Sequence, residues 1–198
     1  MTGVAGTAGY GETAEALVRQ YESLSFEAVH RDLLPLLPPA PAAAIDIGAG
    51  TGRDAAALAR RGYRVTAVEP TSQLRLAAQR LHPDAAIRWI DDALPDLPAV
   101  TALGERFAIV LLSAVWMHLD TDERARAMVR VAALLAPGGV MALSLRHGPV
   151  PEGRRMFEVT PDETCALAAA QGLATLHAGE AAALLNGPEV RWSRLVFS

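Results

Sequence analysis

Ala43-Ala44-Ile45-Asp46-Ile47-Gly48-Ala49-Gly50-Thr51-Gly52-Arg53-Asp54 is the stretch on which the reading of this chain turns. Ala43 to Ile47 is apolar except for Asp46, the pattern of a short buried strand. Gly48, Gly50 and Gly52 follow at alternate positions, and a helix-forming run from Ala55 to Arg61 comes directly after. Glycine permits backbone angles that other residues resist, and its missing side chain lets a ligand approach the main chain. A helix that begins at such a loop turns its unpaired N–H groups toward whatever sits there. Strand, glycine loop and helix together predict a nucleotide-like ligand site at the carboxyl end of a first parallel strand.

The glycine spacing narrows the ligand. A dinucleotide turn needs G-x-G-x-x-G, whose third glycine fits helix against strand. Here the order is G-x-G-x-G and Arg53 stands at the third place, so a pyrophosphate turn is the poorer match. Asp46-x-Gly48-x-Gly50-x-Gly52 resembles motif I of the class I methyltransferases that use S-adenosylmethionine. Leu134-Leu135-Ala136-Pro137-Gly138-Gly139, followed by the apolar Val140 to Leu145, carries the same resemblance. The likeness covers nearly the whole chain, from Glu12 to Phe197. It implies an α/β fold: a Rossmann-like, doubly wound sheet of seven strands in the order 3-2-1-4-5-7-6, with strand 7 antiparallel.

Composition agrees with one compact catalytic or binding unit. The 198 residues suffice for one well-buried domain and are short for two. A net charge of −4 gives no general attraction to phosphate backbones, so a nucleic-acid partner would need a local basic patch. The single cysteine, Cys165, cannot close an internal disulfide, and no Cys/His cluster has zinc spacing. No apolar run approaches membrane-spanning length, and the first residues lack a basic stretch followed by an apolar one. A cytoplasmic location is the expectation.

Along the chain, residues 1–11 read as a loose arm rich in Gly, Thr and Ala. Residues 12–37 read as a helix, stopped by Pro38-Pro39-Ala40-Pro41, and 42–198 as the core. Tyr21 and Phe26 either pack this helix onto the domain or, as the resemblance implies, belong to a lid over the cofactor. Tyr63 to Val68 is the second strand, ending in Glu69, where an ionised carboxylate offers paired acceptors to a ribose diol. Pro70 and Thr71 open a helix through Leu81, and Ala86 to Ile90 is the third strand. Asp91-Asp92-Ala93-Leu94-Pro95 then resembles the family stretch in which an acid meets the adenine amino group and the next backbone N–H a ring nitrogen. Asp92 with Ala93 fits that register better than Asp91. The cofactor set implied is Tyr21, Asp46, Gly48, Ala49, Gly50, Gly52, Arg53, Glu69, Pro70, Asp92, Ala93 and Ser113, with S-adenosylhomocysteine as product.

Arg106 to Leu112 is a continuous apolar fourth strand leading into Ser113-Ala114-Val115-Trp116-Met117-His118-Leu119. In the resembling family this loop lies beside the transferring methyl. It lacks the Asn/Asp-Pro-Pro-aromatic sequence of DNA amino-methyltransferases, which argues against exocyclic base amines. Trp116 is a substrate-side candidate or ordinary core, and His118 an acceptor-side candidate or a structural histidine. Asp120 or Thr121 caps a helix to about Leu135, Ala136 to Gly139 forms a tight turn, and Val140 to Leu145 is strand five. Arg146 and His147 follow at the ligand-facing edge; Arg146 either steers an acidic acceptor or pairs locally. His118 and His147 are the candidate general bases, while His30, His82 and His177 read as surface residues. Thr160-Pro161 with Glu163 starts a helix to Ala170. Leu173 to His177 is strand six, Gly179 to Asn186 a short helix or loop, and Val190 to Phe197 strand seven.

The resulting expectation is methyl transfer from S-adenosylmethionine to a small-molecule acceptor. Three rivals stay in view: a nicotinamide-dependent oxidoreductase, disfavoured by the glycine spacing; a non-catalytic protein that binds S-adenosylmethionine; and tRNA or protein methylation, which would show as salt-sensitive binding.

Overall fold

The computed structural model describes residues 10–11, 14–83, 85–185, 187 and 189–198. Most of the expected N-terminal arm therefore lies outside the described residues, as do Glu12 and Asn186. Strand β1 (Ala43–Ile47) is the centre of the molecule and is buried from Ala44 onward. It pairs in parallel with β2 (Arg64–Val68) on one side and β4 (Phe107–Leu112) on the other. β3 (Ile87–Ile90) extends the sheet beyond β2, and β5 (Leu135–His147) beyond β4. β7 (Arg191–Phe197) runs antiparallel to both β5 and the edge strand β6 (Thr175–Ala182). The order is β3-β2-β1-β4-β5-β7-β6, as the sequence predicts.

Apolar residues fill both faces of this sheet, because strands buried on two sides need no polar alternation. One layer joins Ile45, Val110, Trp116, Met128, Val131 and Phe197, beneath helices α6 (Thr121–Leu134) and α7 (Pro161–Ala169). The other joins Phe26, Leu33, Leu58, Val65, Ile109 and Val196, against α3 (Arg53–Arg60). The buried Ala55, Ala56 and Ala57 let α3 sit close to the strands that carry the glycine loop. Asp120 caps α6 reciprocally with Glu123. At α7 the Thr160 hydroxyl accepts from the Glu163 N–H, but the Glu163 carboxylate turns to Arg124 instead of back to the cap.

Three expectations are corrected. The single helix over 12–37 is instead α1 (Ala14–Glu22), α2 (Phe26–Val29) and a 3₁₀ turn at Leu34–Leu36. Ser25 makes the first break: its side chain accepts from the Ala28 N–H, which starts a new helix and ends the old one. The segment from Gly179, expected as a short helix or loop, continues β6 through Ala182, because its backbone pairs with β7 from Arg194 to Arg191. Pairing outweighs the helical preference of its alanines. Finally, Ala136 to Gly139 is not a free turn before β5 but a bulge within it. Phe107 faces Leu135 while Ile109 already faces Val140, and Gly138 takes a positive φ of 72° to absorb the extra length. Short helices also occur at Pro98–Thr101 (α5) and, as a 3₁₀ turn, at Trp116–His118. Helix α4 spans Ser72–Leu81. Among the described residues, no helix is long and apolar enough to cross a membrane.

Candidate active site

The carboxyl ends of β1, β2 and β4 open into a cavity of about 240 Å³. Its floor is the glycine loop. The Gly48 and Ala49 amides both donate to the Val68 carbonyl, at 2.8 and 2.9 Å, which ties the loop to the end of β2. Gly48 has φ +74°, and a Cβ there would lie 2.4 Å from Val115 Cγ2. Gly50 has φ +56° and sits beneath the Tyr21 ring, which is 4.0 Å from its Cβ position. Gly52 differs: its Cβ direction meets the Trp89 ring at 3.0 Å and Ala78 at 3.2 Å. It fits α3 against the neighbouring layer and does not line the cavity, so its expected cofactor role becomes a packing role.

Glu69 is buried at the end of β2 and holds two amides. Its Oε2 accepts from Gly50 at 2.8 Å and its Oε1 from Thr71 at 2.7 Å. Burial pushes its carboxyl above the usual range, against the downward pull of those hydrogen bonds. The Thr71 side chain is a further donor to this carboxylate, which keeps acceptor capacity for a ligand. Of the two adjacent acids, Asp92 lines the cavity, whereas Asp91 is exposed and pairs with Arg75 at 2.8 Å. Asp92 also organises its own loop, accepting from Ala93 N–H and Val100 N–H at 2.9 Å each. The Ala93 amide is thereby committed to Asp92, which corrects the expectation that it faces a ring nitrogen. Pro70, Ala49, Arg53 and Ser113 all border the cavity as expected.

Asp46 borders the cavity, 1% exposed, with no well-aligned hydrogen bond to either carboxylate oxygen and the Ala55 N–H as its one nearby donor. Burial, reinforced by nearby Asp54, raises its carboxyl well above the usual range. A buried carboxylate short of donors costs free energy, and a cationic or N–H-bearing ligand would supply what it lacks.

Beside it is a network that sequence reasoning missed. His30, expected at the surface, is 7% exposed, and its Nε2 lies 2.7 Å from Asp54 Oδ2. Arg53 donates to Asp54 through Nε at 2.7 Å and to the Tyr21 carbonyl at 3.2 Å. Burial alone would raise the Asp54 carboxyl; His30 and Arg53 outweigh it and hold it well below the usual range. Thr51 donates to Glu22 at 2.6 Å, a further bond between loop and N-terminal segment. These contacts fix α1 and α2 onto the glycine loop, and with them Tyr21. One sign of this is legible in the sequence, the acid Asp54 in the first turn of α3.

On the opposite wall, Ala114 takes φ +59° and its amide donates to the Ser144 hydroxyl at 2.9 Å. His118 is the polar group of this wall. Its Nδ1 is 2.8 Å from the Arg155 carbonyl, which can only accept, so Nδ1 carries the proton and Nε2 is the acceptor. Tyr10 donates its hydroxyl to that Nε2 at 2.9 Å. Burial, together with Arg154 and Arg155, lowers the His118 pKa against the Arg155 hydrogen bond and favours the neutral ring.

Three expected acceptor-side residues are placed elsewhere. Trp116 is fully buried in the core and does not reach the cavity. Arg146 donates to the Pro149 carbonyl at 2.8 Å, and His147 Nε2 lies 2.8 Å from the Ser193 hydroxyl. Neither lines the cavity. β4 ends at Leu112, which faces Leu143 on β5, so Ser144 is the β5 residue at cavity level. Arg146 and His147 lie further along, paired with Trp192 and Arg191 of β7. Leu24, Leu184, Leu185 and Trp192 complete an apolar mouth.

Comparison with known proteins agrees with this geometry. Residues 44–139 match a family model described as a methyltransferase domain. An uncharacterized methyltransferase of Mycobacterium tuberculosis is 33% identical over 128 residues, 61% of this chain and 62% of the relative. A ubiquinone biosynthesis O-methyltransferase of a Methylobacterium strain is 33% identical over 111 residues, 56% of this chain and 43% of the relative. The matches thus span less than two thirds of these relatives. Among solved structures, a 1,6-didemethyltoxoflavin-N1-methyltransferase of Burkholderia thailandensis superposes with TM-score 0.63 at 24% identity, covering 94% of this chain and 88% of that one. A [4+2]-cyclase superposes with TM-score 0.69 at 13% identity, covering 95% and 92%. The chain has the class I methyltransferase fold, and its residues 44–139, just under half of it, match the methyltransferase-domain model.

Proposed function

We propose that this protein is a methyltransferase that uses S-adenosylmethionine and acts on a small-molecule acceptor, in the cytoplasm. The observation that carries the reading is Asp46. This carboxylate, buried with no well-aligned hydrogen bond, belongs to the lining of the same cavity as Gly48, Gly50 and Glu69. An amino-acid ammonium group is the donor such a carboxylate lacks, and a ribose diol suits the remaining acceptor capacity of Glu69. Asp92 can accept from an exocyclic amine on oxygens that still have capacity. The residues present therefore fit the cofactor along its whole length.

When bound, that cofactor supplies a methyl on a sulfonium whose leaving group is a neutral thioether. The protein's contribution is then mainly orientation, which can supply about 7–11 kcal/mol in favourable cases. The glycine loop and Glu69 fix one reactant, and the apolar mouth excludes water from the other. His118 Nε2 is the cavity's neutral base, held in one tautomer by the Arg155 carbonyl. The apolar mouth and the overall negative charge favour a small organic acceptor over a nucleic acid.

Calorimetric titration with S-adenosylhomocysteine and, separately, with NADH tests the proposal. Saturable binding of the first and none of the second is expected. Failure of S-adenosylhomocysteine to bind folded protein overturns the reading, and NADH binding in its place would favour an oxidoreductase.

A further inference from the structure

Tyr10 is a phenol supplied by the chain to its own cavity. Its hydroxyl meets His118 Nε2 at 2.9 Å, and its ring meets the imidazole edge-on, centroids 5.5 Å apart at 81°. The Arg154 guanidinium lies over the same ring, 3.7 Å from its centroid. The hydroxyl thus meets both His118 and the Tyr21 hydroxyl, while ring edge and ring face meet an aromatic neighbour and a cation. Nearby, Leu184 and Leu185 are 48% and 38% exposed although they border the cavity, so the mouth has apolar surface for more than one tyrosine side chain.

Resting on the methyl-transfer reading, we propose that the acceptor is a phenol which displaces Tyr10 and presents its hydroxyl to His118 Nε2. The chemistry selects this class over its neighbours. Arg154 over the ring favours an aryl group, and Arg154 and Arg155 beside the imidazole disfavour an ammonium acceptor. Burial pushes the Tyr10 phenol above the ordinary phenol value of about 10, but a phenol held there still yields its proton to imidazole more readily than an aliphatic alcohol would. In that transfer the O–H bond breaks, the proton goes to Nε2, and the electron pair remains on oxygen as the nucleophile. Tyr10 is then a competitor for the site and a gate over it, not a catalytic residue.

The test is calorimetric binding of para-cresol, the tyrosine side chain as a free molecule, to wild type, Tyr10→Ala, Tyr10→Phe and Tyr10→Ala/His118→Ala. Each is measured with and without S-adenosylhomocysteine, after a thermal melt of each variant. If Tyr10 occupies the site about nine-tenths of the time, its removal tightens para-cresol binding about tenfold. Tyr10→Phe falls between, and the double variant loses most of the gain. Toluene and benzylamine bind Tyr10→Ala more weakly than para-cresol. Equal affinity in wild type and Tyr10→Ala, full retention in the double variant, or equal binding of toluene overturns the proposal. If S-adenosylhomocysteine does not bind while para-cresol behaves as expected, the methyl-transfer reading fails and the phenol site stands.

Discussion

The Gly50 amide lies 2.8 Å from Glu69 Oε2, so the acid at the end of β2 holds the glycine loop as well as facing the ligand. Its other oxygen holds Thr71, just before α4. Glu69→Gln places an NH₂ against one of those two N–H groups. Leaving a buried donor unpaired costs about 1–3 kcal/mol. The expected result is a lower urea midpoint and S-adenosylhomocysteine affinity reduced by about tenfold or more. A variant that unfolds earlier but binds as tightly as wild type would assign Glu69 to the loop alone.

Asp46 and Asp54 are both buried, yet their pH signatures oppose each other. The Asp46 carboxyl is raised in the folded state, so the unfolded chain loses its proton first as pH rises. Stability is therefore lost between the ordinary carboxyl range and the raised folded value. Asp54 is depressed by His30 and Arg53, so its contribution is present above the ordinary range and lost as pH falls through the lower folded value. Asp46→Asn should raise the melting temperature of the ligand-free protein at neutral pH, with the gain vanishing in acid. Asp54→Asn should cost about 3–5 kcal/mol at neutral pH, since it leaves the Arg53 guanidinium, only 16% exposed, without its charge partner. Melts across pH decide both. An Asp46→Asn protein less stable than wild type at neutral pH would mean that Asp46 has a partner.

The four acceptor-side candidates separate cleanly by position. His118→Ala should lower turnover by about 10²–10⁴ if its imbalance of tautomers serves proton removal. His147→Ala and Arg146→Ala should stay within about twofold, because both side chains bond to groups outside the cavity. Trp116→Ala should cost about 3–5 kcal/mol of stability, the typical loss for a buried aromatic. Formation of S-adenosylhomocysteine with a phenol acceptor, beside urea unfolding, reads out all four variants.

Local pattern made the strands, the glycine loop and Glu69 legible, because each depends on neighbours in sequence, while the strand order and the preference for Asp92 followed from the family resemblance. What escaped depends on partners far away. Nothing around His30 says that it packs under the loop against Asp54. Nothing around Gly179 shows that β7 will recruit it into β6. Arg146 and His147 follow a strand as ligand residues often do, but β5 outruns β4, and only the register shows that Ser144 is the residue at cavity level. Tyr10 is harder still, since its meaning comes from a contact with His118, 108 positions away.

Gly48 tests whether the loop's shape or its emptiness matters. A Cβ there would lie 2.4 Å from Val115 Cγ2, and φ is +74°. Gly48→Ala therefore combines a steric clash with backbone strain, the latter about 1–2 kcal/mol. Val115→Ala removes the methyl that clashes but leaves the strain. The double variant Gly48→Ala/Val115→Ala should therefore recover part of the lost stability, and the double-mutant cycle should show a favourable coupling of about 0.5–3 kcal/mol. Affinity for S-adenosylhomocysteine should recover less, because the added methyl still stands beside the ligand's approach to the loop. If stability and affinity recover together, Gly48 is glycine because of Val115; if stability alone recovers, it is glycine because of the ligand.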